Sequence, residues 1–194
     1  MKEEDKSIAG EEFDSSSPEL IKLIVRARSL TNKYNGLPAD DAQERNNILG
    51  QLLGGLGSKV YVDIPFYCDY GKNIFIGDNV YIGLNCTFVD NNKIIIGKNT
   101  LIASHVSIST ATHPVSARER VFQDPSRHCS YRTYSAPVKI GDNCWIGANV
   151  TIIPGVSIGD NTTIGAGSVV IKDIPVNCLA VGNPCRVIRE LDRK

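Results

Sequence analysis

Imidazole is the side chain best matched to proton transfer near neutral pH. The 194-residue sequence carries it three times, at His105, His113 and His128. His113 directly precedes Pro114, which confines the His113 backbone to extended conformations, and it lies in a segment rich in charge, proline and serine, residues 110–137. An isolated loop histidine is usually a surface residue, but this context points to a general base. His105 falls in the turn of a repeat and His128 later in the charged segment, and structural or surface roles are expected for both. The three spacings do not form a zinc-ligand arrangement, so no metal is expected.

What holds such a residue in place is a repeat. Ile140, Ile146, Ile152, Ile158, Ile164 and Val170 fall on a six-residue beat. Neither a helix, with a period near 3.6, nor a simple strand, with period 2, repeats such a unit, so the pattern is that of a solenoid. Each unit is expected to be a short strand and a tight bend. The aliphatic residue and the fifth-position Cys144, Val150, Val156, Thr162 or Ser168 point inward, and Gly or Asn supplies positive φ at the corner. Three units make one triangular coil, and successive coils bury each other's apolar side. Tyr70, Ile76, Ile82 and Phe88 keep the beat earlier; it slips by two residues at Asp90-Asn91-Asn92-Lys93, resumes at Ile96, Ile102 and Ile108, and is lost from Ser109 to Val138. An insertion between repeats must leave the stack as a loop, commonly on the functional face. That loop contains His113.

Residues 1–56 read differently. Met1 to Glu12 is polar and is expected to fray. Ser17-Pro18-Glu19 signals a helix start, followed by Leu20, Ile21, Leu23, Ile24, Ala27 and Leu30 at helical spacing. A second helix is expected from Asp40, with Gln43 at the capping-box position, ending at Gly54-Gly55. Both helices would close an otherwise open solenoid end. Basic and acidic residues balance at 21 each, which gives no reason to expect nucleic acid or an anionic membrane as partner. With neither a spanning apolar run nor a signal-peptide layout, a cytoplasmic location is expected. Six cysteines lack CxxC spacing and are expected to be reduced, with Cys86 and Cys144 filling the core.

Several stretches together resemble the maltose, galactoside and nodulation-type sugar O-acetyltransferases of the hexapeptide-repeat superfamily. They are FYCDYGKNI at 66–74, NCTFVDN at 85–91, THPV at 112–115, the run from Pro137 to Pro175, and AVGNPCRVIREL at 180–191. The resemblance covers nearly the whole chain. It implies a mainly β, single-stranded left-handed parallel β-helix at 57–182 with a protruding catalytic loop at 110–137, an N-terminal α-helical cap at 1–56 on the acceptor side, and a short C-terminal helical tail at 183–194. It also implies a homotrimer with active sites between subunits, acetyl-CoA as co-substrate without a metal, and transfer to a sugar or glycoside hydroxyl.

The same resemblance makes His113 the general base and assigns acceptor binding to Asp14, Asp69, Asn85 and Asn91. For Asp14 the plainer reading is a helix-entry residue, and for the asparagines corner chemistry. Ala148 and Ala166 match positions along the pantetheine arm, and Lys172, Arg186 and Arg189, clustered toward the C-terminus, match phosphate-binding cations. Trp145, at an outward sixth position, is expected to line the cofactor cleft. Two positions depart from the family: Gly83 stands where an asparagine is usual, with Asn85 the nearest substitute, and Ile24 where some relatives have an acceptor-binding arginine. Alternatives are transfer to an antibiotic or serine on the same scaffold, or a non-catalytic solenoid; a purely structural solenoid has no need to interrupt its stacking at His113.

Overall fold

The computed structural model describes residues 1–38, 40–122 and 129–191; His128 lies outside them. The six-residue beat folds as a three-walled parallel β-helix. The first wall stacks Gly55–Leu56, Ile74–Ile76, Ile94–Ile96, Val138–Ile140 and Ser157–Ile158. The second stacks Tyr61–Val62, Tyr81–Ile82, Leu101–Ile102, Trp145–Ile146, Thr163–Ile164 and Cys178–Val181, and the third Phe66–Cys68, Cys86–Val89, Ser107–Ser109, Thr151–Ile152 and Val169–Val170. Like residues stand above like: Ile76 is in register with Ile96, Ile96 with Ile140 and Ile140 with Ile158. The isoleucines of the beat are buried, and so are Cys144, Val150, Val156, Thr162 and Ser168 at the fifth position. Tyr70 departs from the pattern. It is buried outside the coil, against Phe13 and Leu20 of the cap.

Asparagine and glycine supply the corner as expected, and glycine also has a second task. Positive φ falls on the fourth-position asparagines, Asn79, Asn85, Asn99, Asn143, Asn149, Asn161 and Asn177, on Gly155 and Gly167 at the same position, and on His105 in the equivalent turn. The glycine after the aliphatic residue is needed for close approach instead. A Cβ on Gly147 would lie 2.5 Å from the Ala166 nitrogen of the next coil, and one on Gly83 would lie 2.8 Å from the Ser104 nitrogen. Along one corner the asparagine side chains also bond to one another. Asn79 donates from Nδ2 to Asn99 Oδ1 at 2.9 Å, Asn99 to Asn143 at 3.0 Å, Asn143 to Asn161 at 2.9 Å and Asn161 to Asn177 at 2.9 Å.

Helices close the end of the coil next to Gly55. Helix α1 spans Glu3–Ala9, α2 Pro18–Asn35 and α3 Ala42–Leu52. The expected fraying of the first dozen residues is thus corrected: α1 forms, ends at Gly10 in the left-handed region, and buries Ser7. Ser17 is the N-cap of α2, as the Ser-Pro-Glu signal indicates, although its hydroxyl makes no capping bond. Helix α3 is capped one residue later than expected, by Asp41, whose Oδ1 accepts from the Glu44 N–H at 3.2 Å. Gly54 gives its N–H to the Ile74 carbonyl at 3.0 Å and Gly55 starts the first strand, so this pair opens the coil. Asn35 of α2 holds Phe66 by donating to its carbonyl and accepting its N–H, each at 3.0 Å. Arg45 of α3, buried, stacks on Tyr34 and Tyr61 and donates to the Val62 carbonyl at 2.9 Å.

The C-terminal tail is a strand rather than the expected helix. Arg186–Glu190 runs antiparallel to Cys178–Val181. The physical reason is the sheet edge: Gly182, with positive φ, and Pro184 turn the chain back, and its backbone then occupies N–H and C=O groups that the last coil would leave unpaired. All six cysteines are free thiols, and all but Cys129 are buried.

Candidate active site

The insertion leaves the stack as a hairpin, with Ala111–Thr112 antiparallel to Tyr134–Ser135, followed by a short helix α4 at Ala117–Arg120. His113 is the first residue past this pairing and is exposed. Its Nδ1 lies 2.8 Å from the Arg132 carbonyl. A carbonyl can only accept, so Nδ1 carries the proton and Nε2 is left as the basic nitrogen. The Tyr131 ring stands edge-on to the imidazole at 6.4 Å between centroids.

The carbonyl that fixes this tautomer is itself braced. Arg132 donates to Glu12 at 2.6 Å, and its guanidinium lies 4.4 Å from the Phe122 ring centre. The Phe13 N–H bonds to the Thr133 carbonyl at 3.1 Å, so residues 12 and 13 run alongside the returning strand of the hairpin. Asp14 is therefore brought to the same neighbourhood. Its Oδ1 accepts from the N–H and hydroxyl of Ser16, at 2.9 and 2.6 Å, and its own N–H meets Glu3 at 2.6 Å.

The register slip at 90–93 forms the second half of the candidate site. Asp90, fully buried, accepts at Oδ1 from the N–H groups of Asp69 and Tyr70, at 3.1 and 2.8 Å, and at Oδ2 from that of Asn73 at 3.2 Å. One carboxylate thus ties the 69–73 corner to the coil above it. Burial pushes its pKa up to about 7 even though those N–H groups favour the charged form. Burial likewise raises the Asp69 carboxyl, with Asn91 and Arg28 acting against it. Asn91 donates to Asp69 Oδ2 at 3.3 Å.

Helix α1 couples the two halves. The Ser7 hydroxyl donates to the Asn91 carbonyl at 2.6 Å and lies 3.2 Å from the Ser135 hydroxyl, which in turn bonds to the Ser7 carbonyl at 2.6 Å. Asn92 donates to that carbonyl at 2.9 Å. A continuous chain of contacts thus runs from Asp69 through Asn91 and Ser7 to the hairpin that carries His113, with Asp14 in the N-terminal segment that pairs with it. Asn85 stands apart, exposed at a positive-φ corner, with its backbone N–H on the Pro65 carbonyl at 2.9 Å.

A different surface gathers the remaining candidates. On the outer face of the second wall Tyr61, Tyr81, Leu101 and Trp145 stack in register, all exposed, with the two tyrosine rings parallel at 5.7 Å. The row continues through Thr163 and Leu179 to Arg189, roughly 14 Å from Trp145 at three strand spacings. Ala148 and Ala166 follow one another on the adjoining corner, where the Gly167 N–H meets the Ala148 carbonyl at 2.8 Å. Arg186 is exposed and donates to the Cys185 carbonyl at 2.8 Å. Lys172 is exposed after the last strand of the third wall, off this row.

Sequence reasoning missed Ser7, the Glu12–Arg132 pair and Asp90. Gly10, a helix stop after Ser7-Ile8-Ala9, was the available signal for α1; nothing local distinguishes Asp90 from a surface loop acid. Among the described residues no three His, Cys, Asp or Glu side chains converge as a metal site. No helix among them is long and apolar enough to cross a membrane.

The geometry has close parallels. Residues 6–57 match the maltose acetyltransferase hexapeptide capping motif, 73–109 the hexapeptide repeat of succinyl-transferase, and 137–172 the bacterial transferase hexapeptide (six repeats). The galactoside O-acetyltransferase of Escherichia coli K12 is 40% identical over 95% of this chain and 87% of its own. A maltose O-acetyltransferase structure from Clostridium difficile 630 superposes with a TM-score of 0.92 at 43% identity, covering 100% of this chain and 99% of that one. A galactoside acetyltransferase solved in complex with coenzyme A gives 0.91 at 38% identity, covering 99% and 92%.

Proposed function

The chain belongs to the hexapeptide-repeat family of sugar O-acetyltransferases, and from that premise we propose that it transfers the acetyl group of acetyl-CoA to a hydroxyl of a sugar or glycoside, with His113 as general base. The observation that carries this reading is the Nδ1 contact to the Arg132 carbonyl, which aims the basic nitrogen outward from a braced loop. His113 Nε2 takes the proton of the acceptor hydroxyl as its oxygen bonds to the thioester carbonyl carbon. The carbon–sulfur bond breaks, and the CoA sulfur leaves with the proton returned by the imidazolium. No covalent acyl-enzyme is needed.

Asp14, Asp69 and Asn91 orient the acceptor hydroxyls, with Asn85 donating from its corner. The co-substrate fits the second wall. The small residues Ala148 and Ala166 leave their corner open to an extended, amide-rich arm, and the exposed Trp145 offers an apolar face beside it. Lys172, Arg186 and Arg189, exposed and outside any ion pair among the described residues, suit the phosphates. The exposed Tyr61–Trp145 row supports a homotrimer in which neighbours share each site, since such a contiguous apolar stripe is unusual on a monomer. A cytoplasmic location accords with this reading.

The test is release of free CoA against a panel of sugars, run alongside His113→Ala. Turnover is expected to fall by roughly 10² to 10⁴ with acetyl-CoA affinity nearly intact. Near-normal turnover in the folded variant would overturn the general-base assignment, and a fully active monomer by light scattering would overturn the shared site.

A further inference from the structure

A cleft of about 310 Å³ opens between α2 and the outer face of the third wall, lined by Arg28, Thr31, Asn32, Tyr67, Cys68, Asp69 and Thr87. Its size falls within the range of about 300–1,000 Å³ found for small-molecule sites. Its polar groups differ in how they are satisfied. Thr31 satisfies its hydroxyl on the Ala27 and Arg28 carbonyls of its own helix. By contrast, the guanidinium of Arg28, the amide of Asn32, the phenol of Tyr67 and the hydroxyl of Thr87 make no hydrogen bond or ion pair among the described residues, and Arg28 meets Asp69 only through longer-range charge. Four polar ends without a hydrogen bond inside the protein and one flat ring therefore face one space.

We propose that this cleft is a second sugar subsite, which takes the ring next to the acetylated one when the acceptor is an oligosaccharide or glycoside. The inference rests on the acetyltransferase reading above and extends it along the acceptor. Asp69 supplies the continuity. Its Oδ2 receives Asn91, on the acceptor side, and its side chain also forms part of the cleft wall. Two linked rings could then meet one carboxylate from its two sides.

The chemistry selects a neutral polyol. Arg28 and Asp69 bring opposite charges, so the cleft has no net sign with which to hold an anion or a cation. A guanidinium, an amide and two hydroxyls supply donors and acceptors to vicinal hydroxyl groups. Tyr67, 48% exposed, presents an apolar ring face on which the C–H side of a pyranose can lie.

The experiment compares acetyl transfer to glucose and to maltose by the full-length protein and by its Tyr67→Ala, Tyr67→Phe and Asn32→Ala variants. Saturation-transfer NMR of each sugar on the same proteins gives a readout independent of turnover. The parent is expected to show a lower KM for maltose, with both maltose rings receiving saturation. Tyr67→Ala and Asn32→Ala should each raise the maltose KM by about three- to tenfold with kcat unchanged. The glucose KM should stay as it was, and Tyr67→Phe should keep most of the maltose advantage. Equal losses for glucose and maltose, or a second ring that receives no saturation from the parent, would overturn the subsite and leave the acetyltransferase reading intact. If the parent acetylates neither sugar nor any glycoside, that reading fails, and NMR still decides the cleft. Saturation of the second maltose ring by the parent that disappears in Tyr67→Ala supports the subsite, and a second ring left unsaturated by the parent, or saturated equally by both proteins, refutes it.

Discussion

Asn143 is the central rung of the corner ladder, and replacing it isolates what the ladder contributes. Its backbone has φ of +56°, where an ordinary L-residue costs about 1–2 kcal/mol. Its side chain makes two exposed bonds, accepting from Asn99 at 3.0 Å and donating to Asn161 at 2.9 Å, each worth about 0.5 kcal/mol at the low end of the usual range. Asn143→Ala loses both contributions and should cost about 2–3 kcal/mol. Asn143→Gly regains the backbone freedom and should cost only about 1–1.5 kcal/mol, including the larger entropy of glycine in the unfolded chain. Glycine should therefore be the more stable variant, by about 1 kcal/mol, the reverse of their order in a helix. Urea unfolding at one fixed protein concentration, with equal slopes for the three proteins, measures this directly. If Asn143→Ala proves as stable as Asn143→Gly or more so, the positive-φ account of the corner is refuted.

Gly83→Asn, which would introduce the asparagine that the resemblance leads one to expect there, should not raise activity. It sets a Cβ 2.8 Å from the Ser104 nitrogen, and a loss of about 1–3 kcal/mol in stability is expected; a more active variant of unchanged stability would contradict this. Replacing Arg186 and Arg189 together with alanine should weaken CoA binding more than that of acetyl-pantetheine, because only the full cofactor presents the phosphates; equal losses would show that the arginines act through folding. Asp90 titrates near 7 when folded, against an ordinary 3.8, chiefly through burial, so the folded state holds its proton more tightly than the unfolded chain. The stability it contributes is full below about pH 4 and is lost as pH rises through about 7, by at most about 4 kcal/mol. Asp90→Asn should therefore gain on the parent in urea midpoint between pH 5 and pH 8, and a pH-independent difference would dismiss the titration.

The parts of this molecule legible in its sequence are those where one local rule decides the residue. The inward isoleucines follow from coil volume, so the beat located the walls and the insertion. His113 stood out because Pro114 and the broken repeat mark the same place. The corner residues were legible as a class, but two requirements, close approach and positive φ, favour small or permissive residues alike, and only the stacking of the coils separates the role of Gly83 from that of Asn85. The C-terminal segment carries no strong pattern of its own; the unpaired edge of Cys178–Val181 decides its state. Asp90 and Ser7 were invisible for a related reason. Each is a polar residue that no local rule marks for burial, and each is buried by partners roughly 20 to 130 positions away.

The docking of α1 has a practical consequence for anyone preparing the protein. Ser7 sits between the Asn91 corner and the His113 hairpin, and Glu4 pairs with Lys72 nearby, so the first helix braces the loop proposed to carry the general base. A purification tag or fusion partner placed ahead of Glu3 would pull on that brace, whereas one added at the other end would follow the Arg186–Glu190 strand, which holds two of the cations proposed to meet the phosphates. The two placements should fail in different ways, the first by lowering turnover at saturating CoA and the second by raising the concentration of acetyl-CoA required. Kinetic constants taken on differently tagged preparations of this enzyme are therefore not interchangeable.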